Sequence, residues 1–280
     1  MKNENINLKE EELLEQNPWR DVAQQYGIDN NFLFAPDDKK YRYVCENDLK
    51  TIEDFNNQVK DENCKYQLNC PAYPWLGNPL KAKVILLSLN PGYDNNEQTF
   101  GKSILSNLPE NIVNEYAQYL RKTLILKSEG MLPPKGITRD LANFHGSFYW
   151  YNRIDKAFIN PEDMKRKPDI DFEQVNKNLA VIQLVGYSSC RFHPFYKGQN
   201  LNSQDFTRKL ITYILHNRDT IFVILRSVDM WAALLGDEFT KNINRFIIRV
   251  NRNQSISVNA LKEDYGNVVR LLRDKQEKTR

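Results

Sequence analysis

The chain has 280 residues, long enough to bury one large core or a core with an appendage. Hydrophobic residues make up 41% and charged residues 27%, which excludes wholesale disorder and a collagen-like repeat. Thirty-nine Lys and Arg against thirty-six Asp and Glu leave a formal charge of +3, a balance that permits nucleic-acid binding without arguing for it.

No apolar run approaches the length of a membrane span, and the start Met-Lys-Asn-Glu-Asn lacks the apolar centre of a signal peptide. The expectation is a cytoplasmic, monomeric protein with no membrane association. The four cysteines, Cys45, Cys64, Cys70 and Cys190, accordingly read as reduced thiols. The three histidines, His145, His193 and His216, are not paired at helical metal spacing, so no metal site is expected from them.

Along the chain, Leu13, Leu14, Trp19, Val22 and Tyr26 recur at helical spacing and predict one or two amphipathic helices. Residues 28–79 are rich in Asn, Asp and Pro and read as irregular. Residues 1–79 are therefore expected to form an N-terminal extension, helical and then irregular, ahead of a domain spanning 80–280.

From residue 82 the pattern changes. Ala82–Leu89 is a nearly continuous apolar run that ends at Asn90-Pro91-Gly92, as a buried central strand ends in a turn. Three further runs, Leu179–Val185, Thr220–Leu225 and Phe246–Val250, read the same way. Between and after them lie helical patterns opened by Ser203, Ser227 and Asn259, the second closed by Gly236. Strands alternating with helices predict an α/β fold, a three-layer α/β/α sandwich with a central, mostly parallel four-stranded sheet.

Ligands of such sheets sit beyond the carboxyl ends of the strands. The loops there are Asn90–Asp94, Gly186–Cys190, Arg226-Ser227 and Asn251–Ser257. Two of the four are dense in amides and hydroxyls and carry few charges. That chemistry suits a neutral heterocycle and phosphates better than a metal.

These loops resemble those of the uracil-DNA glycosylase superfamily. KAKVILLSLNPGYD is similar to the first motif of its mismatch-specific and single-strand-selective branches, a buried strand followed by Asn-Pro-Gly. His145–Phe158, HGSFYWYNRIDKAF, resembles the aromatic helix start that follows, and Asn253-Gln254-Ser255 matches the final His-Pro-Ser or Asn-Pro-Ser triplet. The ordered set covers residues 75–275. The chain departs from the most active branch in lacking the Asp of the first motif and the His of the last. Gln254 replaces the Pro of the triplet, and Gln183 or Gly186 stands where the family has its base-reading Asn. The segment from Phe192 to Asn202 has no counterpart.

The resemblance implies a DNA glycosylase, which flips a base out of DNA and hydrolyses its N-glycosidic bond. It puts Asn90 at the water-positioning place. An amide orients water without taking its proton, which suits a dissociative, oxocarbenium-like path. The alternative is that Asn90 shapes the turn before Pro91. Asp94 is a second catalytic candidate, as a base, or else a solvated turn residue. Asn253 would contact the carbonyl of the departing base.

The base-binding candidates are Tyr93, Phe100, Gln183 and Tyr187. Phe100 serves as a stacking ring or packs in the core. Gln183 reads a pyrimidine edge or is a half-buried strand glutamine hydrogen-bonded to a neighbour. Ser255 and Ser257 would hydrogen-bond phosphates, Ile256 would be a wedge in the duplex, and Arg252 would belong to a cationic rim for the DNA backbone. The competing reading is a loop whose Asn and Ser cap the last helix.

No cofactor is expected. The alternative is a [4Fe–4S] cluster, implied by the superfamily's iron–sulfur branch, with Cys64 and Cys70 ahead of the first motif, Cys190 before Arg191, and Cys45 as fourth ligand. No Lys falls in a motif, so the enzyme is expected to be monofunctional. Loss of the usual base reader, together with the added Phe192–Asn202 loop, leads to a substrate that is uracil-like or an enlarged modified pyrimidine. Glucosylated hydroxymethylcytosine of phage DNA is one example, in anti-phage defence. The reading of a different class is a catalytically silent nucleic-acid or nucleotide-binding module on the same fold. A small-molecule hydrolase has no Gly-x-Ser-x-Gly elbow to support it.

Overall fold

The structure is a computed structural model that describes residues 9–26, 41–92, 109–133, 147–161, 168–248 and 256–273. Its strands are β1 (Trp75–Leu76), β2 (Val84–Ser88), β3 (Leu179–Gln183), β4 (Ile221–Ile224) and β5 (Phe246–Ile248). They form one five-stranded sheet in the order β1-β3-β2-β4-β5. The four apolar runs are the four parallel strands, with Leu86 opposite both Val181 and Val223 in the centre. A parallel strand buried on both faces needs such a continuous apolar run.

The expectation of four mostly parallel strands needs one correction. A fifth strand, β1, joins the edge antiparallel to β3, with Trp75 opposite Ile182, so the sheet is mixed. Two residues are too few to show a period of two in the sequence.

The helices among the described residues are α1 (Glu10–Glu15), α2 (Trp19–Gln25), α3 (Glu46–Gln58), α4 (Glu110–Leu124), α5 (Ser147–Ile154), α6 (Phe172–Asn178), α7 (Asn202–Asn217), α8 (Val228–Leu235), α9 (Asp237–Lys241), α10 (Val258–Leu261) and α11 (Tyr265–Arg273). They cover both faces of the sheet. On one face Ile85, Leu87, Ala180, Ile182, Phe222 and Ile224 share a buried cluster with Trp19, Phe55, Leu120, Leu210 and Trp231. On the other, Val84, Leu86, Leu179, Val181 and Val223 pack with Trp150, Ile154, Val175, Val268 and Leu272. Alternate side chains of each strand thus feed two separate apolar layers.

The described residues before position 80 contribute Leu13, Trp19, Val22, Tyr43, Ile52 and Phe55 to the first of these clusters, while Leu76 packs against the second. The segment expected to be irregular contains α3, thirteen residues long. The predicted last helix is interrupted at Lys262, whose φ of 49° turns the chain between α10 and α11. No helix among the described residues is long and apolar enough to cross a membrane.

Candidate functional site at the carboxyl ends of the strands

β2, β3, β4 and β5 run parallel, so the loops that leave them emerge on one edge of the sheet. Beyond that edge the pairing continues. The amides of Leu184 and Val185 donate to the carbonyls of Ser88 and Leu89, and Gly92 forms a parallel bridge with Ser189. On the other side, Gln67 N–H donates to Ser188 O and Tyr73 N–H to Gly186 O, both at 2.8 Å. The loop after β3 is therefore held between residues 88–92 and residues 67–74. Gly186 is required there: a Cβ would lie 2.9 Å from Cζ2 of Trp19 and 3.1 Å from Cα of Pro74.

Asn90 is half-buried in this ribbon. Its Nδ2 donates to Pro91 O at 3.0 Å and to Ser189 Oγ at 2.9 Å. Both amide hydrogens are thereby committed, which leaves Oδ1 as the atom that takes a hydrogen bond from a ligand or a water. Ser189 is buried, and its own hydroxyl donates to Arg191 O at 3.0 Å. Arg191 is anchored in turn by its N–H to Asn63 O at 2.8 Å and by its guanidinium to Asp61 at 2.9 Å. Asp61 sits below the ordinary carboxylate range, first because it accepts the Asn63 N–H, with Arg191 adding to the effect.

Gln183 ends β3 opposite Ser88, and both are buried. Strand alternation puts their side chains on the face of Leu86, Val181, Trp150 and Ile256. Oε1 of Gln183 is fully covered and has no hydrogen-bond partner among the described residues. A buried acceptor without a donor costs about 1–3 kcal/mol of desolvation, so a native protein that carries one invites an explanation. Of the two readings of Gln183, the hydrogen bond to a neighbour is not made by Oε1 among the described residues.

Tyr187 is placed differently. Its ring packs against Trp19 at 5.4 Å between centroids, within the cluster on the α1–α3 face. Its hydroxyl donates to Asp48 Oδ2 at 2.8 Å and accepts from Cys45 N–H at 3.1 Å. Burial pushes the Tyr187 hydroxyl, the Cys45 thiol and the Asp48 carboxyl above their ordinary values. This is a bracing contact of the interior.

Ile256 is 2% exposed and lies in the cluster of Val84 and Trp150, so it fills the core here instead of projecting as a wedge. Ser257 occupies the N-cap position of α10. Tyr93, Asp94, Phe100, Arg252, Asn253 and Ser255 lie outside the described residues.

Cys45 is buried and donates to Pro18 O, Cys70 donates to Gln67 O, and Cys190 is exposed. Among the described residues, which include all four cysteines, no three His, Cys, Asp or Glu side chains come together as a metal-holding group.

The structure thus brings together Asn90, Ser88, Gln183 and Ser189 at one edge of the sheet. Two of these, Ser88 and Ser189, do not stand out in the sequence. The only signal was the hydroxyl-rich composition of the loop after β3, because Ser189 meets Asn90 from ninety-nine residues away. These side chains supply neutral donors and acceptors at the strand ends, and one acceptor, Gln183 Oε1, is covered and without a partner among the described residues. No protein-family model, no curated protein and no solved structure matches this chain.

Proposed function

We propose that the chain is a monofunctional DNA glycosylase with a uracil-DNA glycosylase-like three-layer sandwich behind an N-terminal extension, acting as a cytoplasmic monomer. It flips a base out of DNA and hydrolyses the N-glycosidic bond, leaving an abasic site. Its substrate is a uracil-like or enlarged modified pyrimidine, and glucosylated hydroxymethylcytosine of phage DNA is the example that would make it an anti-phage enzyme.

The observation that carries the reading is the unpartnered Oε1 of Gln183, buried one strand over from Asn90. Once the side chains that cover it move aside, this oxygen can accept an N–H of a ligand, and a pyrimidine offers one on its Watson–Crick edge. In the mechanism, Asn90 Oδ1 accepts a hydrogen bond from a water and aims its lone pair at the anomeric carbon. The amide takes no proton, so the bond to the base breaks ahead of water attack and the sugar passes through an oxocarbenium-like state. Charge leaves on the base, where hydrogen-bond donors stabilise it, and the proton shed by the water as it bonds to the anomeric carbon neutralises that base anion through solvent. Asn253 has that part by the superfamily resemblance.

One observation favours a second reading, a binding module that cleaves nothing. The polar side chains gathered at the strand ends, Ser88, Asn90, Gln183 and Ser189, are all neutral and none is a proton acceptor near neutral pH. A panel of duplex and single-stranded DNAs carrying uracil, mismatched thymine, hydroxymethylcytosine or its glucosylated form separates the two. Alkali-labile abasic sites in any of them support the glycosylase. Retention of DNA without any abasic site supports the module.

A further inference from the structure

The two ends of a side-chain amide are nearly isosteric, so what an asparagine presents to a ligand is decided by its neighbours. Asn90 has two such neighbours. Pro91 O can only accept, and it fixes one amide hydrogen at 3.0 Å. Ser189 Oγ can either donate or accept, and so it holds the deciding vote.

Its hydrogen is already engaged with Arg191 O at 3.0 Å, which leaves a lone pair facing Asn90 Nδ2 at 2.9 Å. A flipped amide would set Oδ1 against the Pro91 carbonyl oxygen and against that lone pair, two repulsive contacts in a part-buried place. The position of Arg191 O depends on residues far upstream. Arg191 N–H reaches Asn63 O at 2.8 Å, and its guanidinium reaches Asp61 Oδ2 at 2.9 Å.

We infer that Ser189 is a positioning residue that sets the polarity of Asn90, keeping Oδ1 toward the ligand. Through Arg191, the segment Asp61–Asn63 of the N-terminal region is part of the same device. The residues ahead of position 80 therefore act on the chemistry at the far side of the sheet edge as well as on the core. For catalysis this inference rests on the proposed glycosylase reading. For the amide itself it does not.

The test has two arms on the full chain. In the first, side-chain amide hydrogen exchange of Asn90 is followed by NMR, its signal assigned by its loss in Asn90→Ala. Ser189→Ala is expected to speed exchange of one of the two Asn90 amide hydrogens by roughly tenfold and to leave the other, bound to Pro91 O, protected. Unchanged exchange of both would overturn the inference. In the second arm, kcat for base release falls about 10- to 100-fold in Ser189→Ala with KM unchanged. Against the Asn90→Ala background the same substitution has no further effect. Full, independent losses in the double variant would overturn the positioning role. If the wild type releases no base from any DNA while Asn90 exchange still responds to Ser189→Ala, the glycosylase reading fails and the amide device stands.

Discussion

The hydroxyl of Tyr187 donates to the buried carboxylate of Asp48 at 2.8 Å, joining the loop after β3 to α3 across 139 residues of sequence. The other carboxylate oxygen accepts Ser203 N–H at 3.2 Å, one residue into α7. One side chain thus ties three segments together behind the candidate site.

Asp48→Ala leaves the Tyr187 hydroxyl and the Ser203 amide unmet, and it is expected to cost about 1–3 kcal/mol for each. The pH dependence has a definite sign. Burial raises the Asp48 carboxyl above its ordinary 3.8 despite the hydrogen bonds that oppose it. The folded chain therefore holds this proton more tightly than the unfolded one. The contribution of Asp48 to stability falls as pH rises from the unfolded value through the raised folded value. Urea midpoints measured from acid to neutral pH should show wild type losing ground relative to Asp48→Asn across that window. A pH-independent difference would contradict the assignment.

Gln183 carries an opposite trade. Because Oε1 is buried without a partner, an apolar side chain of similar size removes a desolvation cost. Gln183→Met is expected to raise the unfolding free energy by about 1 kcal/mol while abolishing base release. A less stable variant that still releases base would count against the role of this oxygen.

Gly186 allows the backbone after β3 to pass Trp19, whose ring also meets Trp75 edge-on at 6.5 Å. A methyl group there collides with an indole that is fully enclosed. Gly186→Ala should therefore destabilise the chain by about 1–3 kcal/mol, read from the shift of its urea midpoint.

The end of α4 is closed by side chains from outside the helix. Asn17 Nδ2 donates to Leu124 O at 2.8 Å, Trp75 Nε1 to Thr123 O at 2.6 Å, and Asn78 Nδ2 to Leu126 O at 2.7 Å. Leu124 O belongs to the last helical turn, Leu126 O lies two residues beyond it, and Thr123 O also accepts Leu126 N–H at 3.0 Å; all three residues are buried, so the bonds from Asn17 and Asn78 matter more than an exposed cap. Asn17→Ala is expected to lower stability by about 1–2 kcal/mol, measured by thermal melting, with base release retained.

How far the sequence reveals these features follows from the range of the interactions. The four parallel strands are legible because burial on both faces forces unbroken apolar runs, as in Val84–Leu87. Helix α3 is not legible, since of its three buried side chains, Asp48, Ile52 and Phe55, one is a carboxylate whose partners lie in other segments. Asn90 and Gln183 stand out as polar residues at the ends of apolar runs. Tyr187 and Ile256 occupy equivalent loops, yet they turn inward on opposite faces of the sheet, and loop composition carries no record of that choice. Ser189 is invisible for a similar reason: its importance lies in one contact to Asn90 that only the parallel register creates.

The most direct test is single-turnover base release with wild type and Asn90→Ala on DNA containing uracil, mismatched thymine, hydroxymethylcytosine and glucosylated hydroxymethylcytosine. A glycosylase that uses Asn90 leaves abasic sites in at least one of these with wild type, at a rate lower by about 100-fold or more with Asn90→Ala. Equal rates for the two proteins, or no release from any of the DNAs, would contradict this reading.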